Sequence, residues 1–271
     1  MTATVLAVAW ALVQGPLAGP LHAATPTATT SPTTHDLRST AGGASAGPVH
    51  VVALGDSVPS GAACGCDPFP VLYGRLLAHR TGHRVTVDDE GVNGLDTAGL
   101  VAQLGQPAVA GAVRRAGVVL VTIGANDFSD HHDDVTGGSC GAGSECVDDE
   151  VGTMRAGLAA ALDRVRALRG GRPTTVLVTG YWNVFEDGDV AVGASGAAGL
   201  AASLTLTRRV NTVIRGTARA AGAAYVDLFP AFQTSGHDIT GLLADDGDHP
   251  DAAGHALIAR ILLGAGRPLL R

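Results

Sequence analysis

VHVVALGDSVPSG, residues Val49 to Gly61, decides the fold. A nearly continuous apolar run, Val49 to Leu54, ends on Gly-Asp-Ser and then on Pro-Ser-Gly. Continuous rather than alternating apolarity marks a strand buried on both faces, as in a parallel sheet. A glycine followed by polar residues then turns the chain towards a helix. Ser57 thereby comes to lie on a tight turn after a buried strand, a position suited to a nucleophilic hydroxyl. The same residues also read as an ordinary helix cap, with Asp56 or Ser57 accepting bonds from the amides that follow.

Outward from this stretch, strand-like runs recur at 84–87, 118–123, 174–179 and 224–228. Helical stretches are predicted at 70–79, 97–104, 108–115, 151–168, 200–221 and 252–263. Strands alternating with helices predict a three-layer αβα domain with right-handed crossovers. Such a sheet puts its chemistry beyond the carboxyl ends of the strands. The segments that follow the strands are Gly55-Asp56-Ser57, Asp88 to Gly94, Gly124-Ala125-Asn126-Asp127 and, before the last helix, Asp245 to His255.

In the last segment Asp246 precedes His249 by three residues. In a turn, a carboxylate at that spacing can bond one ring nitrogen and leave the other as a proton acceptor. Asp246 is the candidate orienting acid and His249 the candidate base. Asp248 or Asp251 as helix caps, with His249 as a loop residue, is the plainer reading. An oxyanion formed by attack of Ser57 needs fixed donors. The backbone N–H of Ser57, the backbone N–H of Gly94 and the side-chain amide of Asn126 are available.

The order Ser, Gly, Asn, Asp-x-x-His, each on a loop after a strand, resembles the SGNH (GDSL-type) hydrolase superfamily. GDSVPSG, GVNG, GAND and DGDHP with AAGH resemble its four blocks; Val58 stands where a leucine is usual. The resemblance implies a flavodoxin-like five-stranded parallel sheet. It also implies Ser57, Asp246 and His249 as the triad, Ser57, Gly94 and Asn126 as the oxyanion hole, and no cofactor or metal. The expected activity is that of a serine ester hydrolase (esterase, lipase or acetylesterase) working through an acyl-enzyme. Its partner would be a small-molecule, lipid or glycan ester. An acyltransferase or thioesterase on the same site, or a non-catalytic glycan- or lipid-binding domain, are the alternatives.

Composition narrows the rest. The 271 residues are 46% hydrophobic and 16% charged, enough for one large core. Net charge is −7, which argues against nucleic acid as a partner. All 18 basic residues are arginine, which excludes a lysine nucleophile. Thr4 to Leu12 is a short apolar run like that of an export signal, so 1–24 is expected to direct secretion. Residues 25–47, rich in Thr, Ser, Pro, Ala and Gly, read as a disordered linker to a hydrolase domain at 48–271. No later segment reads as a membrane span, and the protein is expected to be a monomer. Cys64, Cys66, Cys140 and Cys146 suggest two disulfides in an oxidising compartment, with zinc as the rival. Their spacing leaves the pairing open, since 140 with 146 is easy, 64 with 66 tight and a crossed arrangement available. The loop 128–149 carries Asp130, His131, His132, Asp133 and Asp134, a loose candidate for a cation, more simply a solvated loop. Tyr181, Trp182 and Phe185 are either a wall of the acyl site or core packing.

Overall fold

In a computed structural model of the chain, the structure describes residues 33–37, 47–141, 144–233 and 238–266. The segment 1–24 read as an export signal lies outside these residues, as does most of 25–47.

A six-stranded sheet forms the middle layer. Its strands are β1 (Thr33–Leu37), β2 (Val49–Gly55), β3 (Val85–Gly91), β4 (Val118–Thr122), β5 (Thr175–Thr179) and β6 (Ala224–Val226). They run in the order β1-β3-β2-β4-β5-β6. The five strands from β2 onwards are parallel, and β1 pairs antiparallel with β3 at the edge. Counted alone, the five parallel strands have the doubly wound, flavodoxin-like order. The apolar runs explain the strands: every residue of β4 is buried, as are Val51 to Leu54 of β2. Helices are α1 (Ser57–Ser60), α2 (Phe69–Thr81), α3 (Thr97–Gln103), α4 (Pro107–Arg115), α5 (His132–Thr136), α6 (Asp148–Arg169), α7 (Gly188–Ala220), α8 (Phe229–Phe232) and α9 (Ala252–Ala265). α2 packs on α9 over one face of the sheet; α3, α4 and α7 gather around α6 over the other. α6 carries Asp148, Asp149 and Glu150 in its first turn and Arg166 and Arg169 in its last, both favourable to the helix dipole.

Three sequence readings change. Asp88, Asp89 and Glu90, read as a loop, complete β3, because β2 supplies a partner as far as Gly55 opposite Gly91. Five residues of the stretch read as a linker form β1. α7 begins at Gly188 rather than Leu200, with non-helical backbone at Gly196. That helix is also long and apolar enough, by length and composition, to cross a membrane. It is apolar chiefly through Ala, Gly, Leu and Val, and its Leu206, Val210 and Ile214 are buried in the core of the domain.

The first switch in strand order lies at β2, which has β3 on one side and β4 on the other. Crevices that bind ligands form at such points. Ser57 follows β2 and Asn126 follows β4, so the fold brings both to the same edge.

Candidate active site

The turn after β2 is built around Gly55. Its φ is +139°, and a Cβ there would lie 1.8 Å from the carbonyl oxygen of Thr122. That carbonyl accepts the N–H of Asp56 at 3.1 Å, which carries the chain across β4 and into α1. Asp56 caps α1, its Oδ1 accepting the N–H of Val58 at 2.9 Å. Its Oδ2 accepts the hydroxyl of Tyr181, from the segment after β5. Asp56 is almost wholly buried, and burial pushes its pKa up to about 7 against the bonds from Tyr181 and Val58. The plain reading of Asp56 as a cap therefore holds, and Ser57 occupies the first position of the helix it caps.

The second and third loops are stitched to the first. Ser60 donates its hydroxyl to the side-chain oxygen of Asn93, and the N–H of Val92 reaches the carbonyl of Gly55 at 2.9 Å. Gly94 is exposed at φ +75°, with open space where a Cβ would project, so its backbone can be closely approached. Asn126 donates one Nδ2 hydrogen to the carbonyl of Leu95 at 2.9 Å, which leaves the second for another acceptor. Next to it, Asp127 accepts both the N–H and the hydroxyl of Thr97, at 3.1 and 2.6 Å, at the start of α3. These bonds hold the Gly94 and Asn126 loops together.

The last segment holds an Asp–His pair. Nδ1 of His249 lies 2.7 Å from Oδ2 of Asp246. Oδ1 of Asp246 accepts the backbone N–H groups of Asp248 and His249, each at 3.0 Å. Burial works to raise the pKa of Asp246, but these bonds outweigh it and hold the carboxyl below its ordinary range. With Nδ1–H donating to a carboxylate, Nε2 of His249 carries the free lone pair. Asp251, the alternative cap, does cap α9, accepting the N–H of Gly254 at 2.8 Å. The Asp246 turn is tied in through Gly247, whose carbonyl accepts the N–H of Asp187 at 2.8 Å.

The pair lies close enough to the β2 turn for the buried carboxyl of Asp56 to feel the charges of His249 and Asp248. Among the described residues the hydroxyl of Ser57 makes no hydrogen bond, to His249 or to any other group.

The loop after β4 reaches the same neighbourhood. His132 bonds Asp133 at 2.9 Å and Glu186 at 2.8 Å, and packs edge-on against Phe185. Burial opposes its charge, but the two carboxylates prevail and raise its pKa. Asp248 feels both Glu186 and His132. His131 pairs with Glu150 at 3.1 Å. These groups pair with one another instead of converging as a cation's ligands. Tyr181, Trp182 and Phe185 are buried, with Trp182 stacked on Phe232 at 4.5 Å, so the cluster is core packing and not an open wall. The Tyr181–Asp56 bond and the His132–Glu186 pair have no local signature in the sequence; Asp56 and Tyr181 share only a position just after a strand. The disulfides pair Cys64 with Cys66 and Cys140 with Cys146, which closes the question of crossed pairing.

Solved structures with this fold include a lipase from a goat-rumen metagenome, at 19% identity and TM-score 0.65 over 80% of this chain and 97% of that one. Others are phospholipase A1 from Streptomyces albidoflavus NA297, at 24% identity and TM-score 0.58 over 80% and 99%, and an acetylxylan esterase from Geobacillus stearothermophilus, at 16% identity and TM-score 0.57 over 80% and 93%. No curated protein matches the chain. Residues 53–257 match the model of the GDSL-like Lipase/Acylhydrolase family, a span that runs from β2 into α9 and takes in all four post-strand loops. By that match the chain belongs to the GDSL-like lipase/acylhydrolase family of the SGNH hydrolase superfamily.

Proposed function

We propose that the protein is a secreted serine ester hydrolase in which Ser57 attacks the ester carbonyl. The family makes it a hydrolase of esters; the nucleophile, the triad and the site of action are the proposal. The observation that carries it is the 2.7 Å bond between Asp246 and His249, on a turn whose charge reaches the carboxyl beside Ser57.

In this reading Nε2 of His249 takes the proton of Ser57 as the hydroxyl attacks. Asp246 holds the ring in the required tautomer and stabilises the imidazolium that forms. The backbone N–H groups of Ser57 and Gly94 and the second Nδ2 hydrogen of Asn126 receive the oxyanion. His249 then protonates the leaving alcohol, and water repeats the cycle on the acyl-enzyme. The bond between Ser57 and His249 forms in the substrate complex, since such contacts are often loose in a free enzyme. The disulfides and the apolar run at Thr4 to Leu12 support export.

A fluorophosphonate probe tests the assignment. The expected result is a single adduct on Ser57, found by peptide mass spectrometry and absent from Ser57→Ala, with loss of ester hydrolysis in that variant. Hydrolysis by Ser57→Ala at the wild-type rate overturns it. Esters of increasing acyl length, acetylated glycans and phospholipids, assayed side by side, define the substrate.

A further inference from the structure

Cys64, Gly65 and Cys66 lie in the loop between α1 and α2. Their disulfide closes a ring with a sequence separation of only 2, against 6 for Cys140–Cys146. A disulfide stabilises by constraining the unfolded chain, and does so least across a short loop. Both cysteines are partly exposed, whereas Cys140 is buried. Ala63, just before them, has φ +58°, a left-handed conformation unfavourable for a residue with a Cβ. A bridge that adds little to stability, open to solvent and beside a strained residue, has the character of an exchangeable disulfide rather than a structural one.

Beneath it lies His255 of α9, wholly buried. One of its ring nitrogens and the two sulfurs all fall within 4.8 Å of one another. Nδ1 accepts the backbone N–H of Phe69 at 3.2 Å. Burial keeps the ring neutral, its pKa pushed down to about 4, with Asp251 acting against the shift and His249 with it. A neutral imidazole whose Nδ1 accepts must carry its proton on Nε2. Among the described residues that Nε2 is buried and has no hydrogen-bond partner, an arrangement that calls for an acceptor. Two sulfurs and an imidazole also suggest a metal. The tautomer argues against it, since Nε2 has no lone pair to give while Nδ1 is engaged by Phe69.

We propose that Cys64, Cys66 and His255 form a second reactive site, at which the disulfide exchanges with thiols and Nε2–H of His255 receives the thiolate that is released. The thiolate of an incoming dithiol attacks one sulfur. The Cys64–Cys66 bond breaks, and its electron pair leaves on the other sulfur, which accepts a hydrogen bond from Nε2–H. Each reagent thiol gives its proton to solvent as it attacks, and each released protein sulfur takes one from solvent when it protonates. The second thiol of the reagent then displaces the first from the mixed disulfide. The dithiol departs as a cyclic disulfide, and the protein has gained two electrons and two protons. A monothiol stops at the mixed disulfide. The site stands apart from the ester chemistry proposed above.

The test treats the oxidised full-length protein with dithiothreitol, traps free thiols with iodoacetamide at intervals, and reads both pairs by peptide mass spectrometry. Cys64–Cys66 is expected to open at least ten-fold faster than Cys140–Cys146. The alkylation midpoint of the reduced pair is expected below the ordinary thiol value of about 8.5, and a unit or more higher in His255→Leu. Opening of the two bridges together, or of Cys140–Cys146 first, overturns the proposal from the wild-type protein alone, whether or not the variant folds. An unchanged midpoint in a folded His255→Leu removes the donor role. So does stoichiometric zinc binding by the reduced wild type that is lost in His255→Leu.

Discussion

The hydroxyl of Tyr181 donates to the carboxylate of Asp56, joining the segment after β5 to the turn that presents Ser57. The bond spans two strands of the sheet and is buried at both ends. It makes the turn that carries Ser57 depend on a residue 125 positions away.

Asp56 should make stability fall as pH rises. Burial lifts its pKa from 3.8 to about 7, so between those values the folded state binds more protons than the unfolded one. Its contribution is fully present below pH 3.8 and lost on passing pH 7. Asp56→Asn should therefore flatten the stability profile, gaining on the order of 2–4 kcal/mol relative to wild type between pH 4 and pH 8. Denaturant unfolding across that range reads it, and parallel profiles would remove the assignment.

Tyr181→Phe leaves a buried carboxyl short of one donor. The expected cost is about 1–3 kcal/mol. It should be smaller at low pH, where a protonated Asp56 needs the donor less. Thermal unfolding at two pH values checks both the size and the trend.

Asn126→Ala should lower kcat on the order of a hundred- to a thousand-fold with KM little changed, as expected for loss of one oxyanion donor. Asp246→Asn should keep the fold and lower kcat further, on the order of ten-thousand-fold, because the amide no longer selects the Nδ1–H tautomer of His249. Steady-state kinetics on a chromogenic ester separates the two, and equal losses in KM alone would contradict both.

His132→Ala should cost more stability in acid than in alkali. The carboxylates of Asp133 and Glu186 raise the ring's pKa in the folded state. Its contribution is therefore complete below the unfolded value of 6.5 and lost as pH rises through the higher folded value. The difference in melting temperature between variant and wild type should shrink from pH 5 to pH 9.

Gly55→Ala should not fold. The added Cβ meets backbone at 1.8 Å and no side chain can yield. A cost on the order of 4 kcal/mol or more is expected. A native circular-dichroism melt for this variant would show that the turn from β2 into α1 is not as described.

The apolar strands were legible because burial on both faces fills most of their positions with Val, Leu and Ala. The end of β3 was not, because Asp88, Asp89 and Glu90 disfavour a strand by composition and only pairing with the neighbouring strands, β2 and β1, enforces it. The start of α7 was hidden by the glycines at 188, 193 and 196, which read locally as loop. The Asp246–His249 bond followed from a spacing of three. The link from Asp56 to Tyr181 could not, since nothing local pairs residues so far apart. The aromatic cluster was visible, but whether it faced inwards is a question only packing answers.

β1 has a consequence for where the chain can be shortened. It pairs with β3 from Thr33 opposite Asp89 to Leu37 opposite Val85, so it covers the outer rim of the parallel sheet. A chain trimmed to begin at Val49 would uncover a row of N–H and C=O groups on β3, a template onto which another molecule's strand can add. Shortened forms should self-associate in proportion to concentration, while the form keeping residues 33–37 protects its own border.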